Sequence, residues 1–211
     1  MKNKFISFEG GEGSGKTVQS KLLYEYLLSI GIKCIHTREP GGTKFAEDIR
    51  KKLKKKNILP ISELLLILSA RYDHVTQIIK PALEKGKWVI CDRFVDSTLC
   101  YQGIMQNLTV DTVARWHNEV TKDLWPDLTY LLDVPAIITA ERLNLRSLNV
   151  SGDKYDSLSL NQHEEIRNGF LKLAKKFSDR FITISGNNNI SEIHSVILEK
   201  MNELSWFEAK L

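Results

Sequence analysis

Cysteine is scarce in this chain of 211 residues. There are three, Cys34, Cys91 and Cys100, widely spaced and with no CxxC pair. That excludes a zinc ribbon or a disulfide framework, and a reducing, cytoplasmic setting is expected. Cys34 and Cys91 fall in apolar, strand-like runs and read as core residues. Long apolar stretches are missing too. No window approaches the roughly 18 uninterrupted apolar residues of a membrane span, and the opening MKNKFISFEGG carries no signal-peptide run, so neither is expected. Charge of one sign is nearly balanced: 30 Lys+Arg stand against 26 Asp+Glu, a net +4. So small an excess does not argue for nucleic acid. The basic run KKLKKK, Lys51–Lys56, closes a predicted helix, where the helix dipole favours cations. No aromatic residue interleaves with it, as a single-strand groove would need, and it reads as a solvated face. The five histidines are dispersed and form no metal cluster. No repeat and no long linker break the chain. With 42% hydrophobic residues it has enough for one domain spanning 1–211, burying about 70% of its unfolded surface.

What is present is an alternation of strand and helix patterns. Strands are expected at Phe5–Glu9, Lys33–Thr37, Trp88–Cys91, Leu128–Asp133 and Phe181–Ser185. Helices are expected at Val18–Ile30, Phe45–Leu53, Ile61–Tyr72, Val75–Lys85, Val110–Lys122, Ala136–Ser147, Asn161–Phe177 and Ile190–Glu208, with Gly31 and Gly86 as stops. Five strands separated by helices imply an α/β fold, a five-stranded parallel sheet covered on both faces. Two polar stretches interrupt the pattern, LNVSGDKYDSLS (Leu148–Ser159) and GNNN (Gly186–Asn189). The first is the candidate for a mobile lid, covering about 146–160.

Between the first strand and the first helix lies GGEGSGKT: Gly10, Gly11, Glu12, Gly13, Ser14, Gly15, Lys16 and Thr17. This fits G-x-x-x-x-G-K-[ST] in the strand–loop–helix context that the motif requires. The glycines let the backbone curl so that successive N–H groups face one anion. The helix that follows adds its positive end. Lys16 is placed to reach the β- and γ-phosphates of a nucleoside triphosphate, and the Thr17 hydroxyl to sit on Mg²⁺. The carboxylate of Glu12 is out of character in such a loop.

Three further segments narrow the chemistry. In WVICDRF, Asp92 ends a buried strand, where ligands of parallel sheets gather. A carboxylate there can hold Mg²⁺, and Arg93 suits a phosphate. The alternative is a solvated strand-end pair. In HTREPGGT, Arg38 reaches the same sheet edge before a Pro-Gly-Gly turn, and Thr43 can cap the next helix. In ELLLILSARYDHV, Arg71 follows an apolar stretch and either addresses a bound base or snorkels at the surface.

Taken in order, FEGGEGSGKT, TREPGGT, SAR, IIKPAL, WVICDRF, STLCYQG and PDLTYLLDV resemble the bacterial thymidylate kinases, from Phe5 to about Ser185. The resemblance implies a P-loop nucleoside-monophosphate kinase fold and transfer of the ATP γ-phosphoryl group to dTMP with Mg²⁺, in a homodimer. Carried over residue by residue, Lys16 and Thr17 serve ATP and Mg²⁺, with Asp92 as the metal-side carboxylate. Arg93 grips the acceptor phosphate and Arg38 approaches it. Arg71 addresses the thymine edge, Tyr101 lies under the deoxyribose, and Gln102 closes the same loop. Arg142 resembles the residue against adenine, and Glu12 takes the position of an acidic residue near the acceptor sugar.

The chain departs from the family at informative places. Gly13 stands where some relatives carry Arg, so a cation from the lid is expected. There Lys154 replaces the usual Arg, and Arg146 is its rival. Ile67 stands where Phe commonly stacks on thymine, Thr98 where some members have Asn or Ser, and Cys100 where Ala is usual. Another nucleotide kinase of the same fold, or a P-loop binding module without transfer activity, are the competing readings.

Overall fold

A computed structural model describes residues 3–54, 57–147 (backbone alone at 146 and 147), 158–204 and 206. Five strands, β1 (Phe5–Glu9), β2 (Cys34–Arg38), β3 (Trp88–Asp92), β4 (Leu128–Asp133) and β5 (Phe181–Ser185), form one sheet in the order β2-β3-β1-β4-β5. Every neighbouring pair is parallel. β1 and β3 are buried along their whole length, which is why FISFE and WVICD read as nearly continuous apolar runs. Within the run, Ser7 shares a 2.8 Å hydrogen bond with Thr129 on β4, and the other polar residues, Glu9 and Asp92, stand at the strand ends.

Alternate residues of the strands feed two cores. Phe5, Val89, Cys91 and Leu131 face the first, which α3 (Pro60–His74), α6 (Val110–Thr121) and α8 (Leu160–Lys176) cover with Leu64, Leu68, Val113, Ile166, Phe170 and Leu173. Ile6, Phe8, Ile90 and Leu132 face the second, under α1 (Lys16–Ser29) and α9 (Ile190–Asn202) with Leu23, Leu27, Ile193 and Ile197. Each such side chain contributes about 1.5–3 kcal/mol when fully buried. All three cysteines are buried and free of disulfides. Among the described residues no helix is long and apolar enough to cross a membrane.

Helix ends follow the local chemistry. Thr43 caps α2 (Lys44–Leu53), accepting from the Ala46 N–H at 3.1 Å. Capping boxes open α8, from Ser159 and Gln162, and α9, from Asn189 and Glu192.

Several elements differ from expectation. α1 starts at Lys16, inside the phosphate loop. The expected break before Val75 is absent: α3 runs into a π-helical turn, Val75–Ile79, and then α4 (Lys80–Glu84). Pro81, which has no N–H to donate, follows this wider turn. The stretch after β3 is helical, as α5 (Val95–Thr98) and a π-helical segment Leu99–Met105. It carries no apolar period to announce it. α7 covers Ala136–Ser147 as expected, and α9 ends at Asn202, short of Glu208. Most of the expected lid, 148–157, lies outside the described residues.

The register brings the functional motifs together. Phe8 lies opposite Asp92 and Arg38 opposite Asp92. The Arg93 N–H donates to Phe8 O at 3.0 Å, and the Glu39 N–H to Asp92 O at 3.0 Å. Three strand exits therefore share one carboxyl-end edge.

Candidate active site

The phosphate loop turns sharply where β1 ends. A Cβ on Gly10, at φ +143°, would sit 2.7 Å from the Leu132 carbonyl, so the close approach of β4 admits only glycine. Lys16 folds back over its own loop, and its Nζ donates to Gly11 O at 2.6 Å and to Ser14 Oγ at 3.1 Å. Burial, aided by the Arg93 guanidinium, pushes the Lys16 ammonium down to about 8 against the pull of Glu12, Asp92 and Glu9. The Thr17 hydroxyl donates to Asp92 Oδ2. Asp92 Oδ1 is buried and finds no hydrogen-bond partner among the described residues. An orphaned carboxylate oxygen beside a hydroxyl is an oxygen donor set that fits a small hard cation.

Next to the loop stands Arg93, in the left-handed region at φ +66°. Its Nη2 donates to Glu12 Oε1 at 2.6 Å, and its Nη1 to Gly10 O at 3.1 Å and Ser97 Oγ at 3.0 Å. Its guanidinium also lies over the Tyr101 ring, and the Tyr101 hydroxyl donates to Glu12 Oε1 at 3.3 Å. Burial raises the Glu12 pKa, but Arg93 and Lys16 overcome it and hold the carboxyl down at about 2. Glu12 is therefore a fixed negative charge joined to the guanidinium. A solvated strand-end pair is ruled out for Asp92–Arg93, since Asp92 is buried and the Arg93 side chain is 16% exposed.

Buried carboxylates support this corner. Glu9 accepts from the Phe94 N–H at 2.7 Å and from the Ser97 hydroxyl at 2.6 Å. Burial and the charge of Asp96 raise Glu9 to about 7. Asp96 in turn takes two hydrogen bonds from Arg180, at 2.7 and 2.6 Å.

At the far end, Arg71 is not a surface residue: its side chain is 1% exposed. Nε donates to Glu39 at 2.7 Å and Nη2 to Thr98 Oγ1 at 2.8 Å, while Nη1 is buried without a partner among the described residues. Burial raises the Glu39 carboxyl, but Arg71 and His74 outweigh it, so its pKa is lowered. Arg38 is half-exposed and paired with Glu47 at 2.9 Å. Arg142 bridges loop and sheet, donating to Gly13 O at 3.2 Å and Gly186 O at 2.9 Å.

One cavity of about 450 Å³ joins these groups. Of the residues expected from sequence, Glu12, Gly13, Ser14, Gly15, Lys16, Thr17, Arg38, Ile67, Arg71, Asp92, Arg93, Thr98, Tyr101, Gln102 and Arg142 line it. Gly10 and Gly11 lie behind the loop, against Leu132 and His163. Lys154 and the Arg146 side chain lie outside the described residues. Glu39, Arg50, Glu63 and Ser97 also line the cavity, although no motif in the sequence marks them as site residues. Arg50 sits one helical turn from the buried Ala46 of α2 and donates to Pro40 O at 3.0 Å. The apolar period of that helix was the available signal.

A family model described as thymidylate kinase matches residues 8–197. A thymidylate kinase of Orientia tsutsugamushi (strain Ikeda) is 43% identical over 202 residues, covering 94% of this chain and 93% of its own length. One from Rickettsia bellii (strain OSU 85-389) is 44% identical over 199 residues, covering 94% and 95%. The crystal structure of thymidylate kinase from Ehrlichia chaffeensis matches with a TM-score of 0.75 and 35% identity, over 95% of this chain and 99% of that one.

Proposed function

The chain belongs to the thymidylate kinase family, and on that premise we propose that it is a phosphotransferase moving the γ-phosphoryl group of ATP to dTMP, giving ADP and dTDP for dTTP synthesis. One observation carries the reading: a single cavity holds both a triphosphate-type loop, with Lys16 and Thr17, and a second set of cations, Arg93 and Arg71, built for another anionic ligand. A binding module with one nucleotide has no use for the second set.

The residues divide the task as follows. The loop from Gly10 to Thr17 cradles the ATP phosphates, with Lys16 uncurling from Gly11 to meet them, and Arg142 flanks the adenine. Thr17 and Asp92 would hold Mg²⁺, which would supply positive charge to offset that of the phosphates. Arg93 and Arg38 take the dTMP phosphate, with Arg50 beside them. Glu12 and Tyr101 face the deoxyribose. Ile67, Arg71, Thr98 and Gln102 enclose the thymine. The acceptor is already an oxyanion, so no strong general base is needed. The demand is to hold two anions in line and to offset the spreading charge. With Gly13 in place of a loop arginine, a cation from the 146–160 segment, Lys154 or Arg146, completes the set.

A homodimer is part of this reading. Leu65 and Tyr72 of α3 are more than half exposed and line an apolar groove with Trp116 and Val120 of α6. The three buried free thiols fit a cytoplasmic enzyme. The test is ADP release with dTMP, dUMP, dCMP and dGMP as acceptors. Fastest turnover with dTMP is expected, and a clear preference for another monophosphate would replace the assignment.

A further inference from the structure

Glu63 is a buried carboxylate at the base end of the cavity, and no role in the reaction has been given to it above. It stands in the first turn of α3, 3% exposed. Glu63, Ile67 and Arg71 follow one another at intervals of four residues and so lie on one stripe of the helix. Thr98 and Gln102 are likewise four apart on the opposing helical segment. Two polar rungs join the stripes. Arg71 Nη2 donates to Thr98 Oγ1 at 2.8 Å, and Gln102 Nε2 donates to Glu63 Oε1 at 3.1 Å. Ile67 lies between them, and all five residues line the same cavity.

Each rung leaves one polar group for a ligand. On the first it is Arg71 Nη1, a donor without a partner among the described residues. On the second the choice is made by Glu63. Glu63 Oε1 accepts from the Gln102 amide, so the Gln102 NH₂ faces Glu63 and its carbonyl is turned away. Gln106 Nε2 holds the other carboxylate oxygen, Oε2, at 3.3 Å, so Glu63 cannot swing clear without leaving that contact. If Gln102 turned over, it would set oxygen against oxygen. The cavity thus offers a donor and an acceptor side by side. A ring edge with a carbonyl next to an N–H matches both. An edge with an amino group next to a bare nitrogen meets donor with donor and acceptor with acceptor.

Building on the functional reading above, we propose that Glu63 is a specificity-positioning residue. It locks the Gln102 carbonyl toward the cavity, so that 4-keto pyrimidine monophosphates are taken and 4-amino ones are turned away.

The test compares kcat/KM for dTMP, dUMP and dCMP in the unmodified chain and in Glu63→Gln, whose amide can present either a donor or an acceptor to Gln102. The dTMP/dCMP ratio is expected to fall at least tenfold, mostly through KM, while the dTMP/dUMP ratio stays within about twofold, because dUMP keeps the same 3,4-edge. Glu63→Asp, which keeps an acceptor-only group, is expected to retain most of the discrimination. A ratio unmoved in Glu63→Gln, or an equal loss on all three substrates, overturns the assignment. Should that variant fail to fold, Gln102→Leu decides: it is expected to lose the same discrimination, and a retained ratio overturns the assignment. An unmodified chain active on dTMP with an unmoved variant ratio sinks only the role of Glu63. One inactive on all three sinks the functional reading and this role together.

Discussion

At the scale of single residues the site is a set of charges that constrain one another. Lys16 shows it most clearly. Its ammonium donates to a carbonyl and a hydroxyl of its own loop, and burial beside Arg93 brings it down to about 8. The sign follows from that depression. The free protein loses this proton as pH rises through 8, and a bound polyphosphate restores it, so ATP binding takes up protons. Uptake from this group is expected to be small well below pH 8 and to rise toward one proton as pH passes through it. Calorimetry in buffers of different ionisation heat measures it, and flat uptake over that range would contradict the geometry of Lys16. The identity of such residues is legible in the sequence, but their partners are not. Arg71 is visible as a candidate, yet its burial depends on Glu39, a residue 32 positions away that no local pattern connects to it.

At the scale of elements, strands buried on both faces leave apolar runs, and helices with a periodic stripe leave the matching signal. All five strands are legible for that reason. The segment from Val95 to Met105 is not, although it carries Thr98, Tyr101 and Gln102. Its residues are buried all round, from Leu99 through Gly103, and a helix without a solvent face has no period to read. The loop that lacks an arginine at Gly13 sets the prediction at this scale. Lys154→Ala is expected to slow phosphoryl transfer more than tenfold, about 1.4 kcal/mol or more in the barrier, with ATP affinity little changed. Single-turnover rates for Lys154→Ala and Arg146→Ala decide between the two cations. If neither slows transfer, the charge is supplied elsewhere.

At the scale of the whole molecule, parallel strands and helices on both faces are legible from the alternation of patterns. The order β2-β3-β1-β4-β5 is not, because register is set by contacts between distant segments. That order matters, since it places Asp92 beside both the phosphate loop and Arg38. α3 also links the site to the outer surface. One side carries Glu63, Ile67 and Arg71 into the cavity, and the other leaves Ile61, Leu65 and Tyr72 exposed. A helix apolar on both sides needs a second cover. For the homodimer proposed above, Leu65→Glu is expected to leave a monomer in light scattering, with weaker dTMP binding because α3 loses its outer support. A dimer that survives the substitution places the interface on another face.

Transfer from ATP to dTMP rather than to water is what separates a kinase from an ATPase on this fold. Its most direct test is to resolve the products of Mg·ATP and dTMP with the purified chain. dTDP and ADP are expected in equal amounts, with little inorganic phosphate. ADP appearing with inorganic phosphate and no dTDP would contradict it.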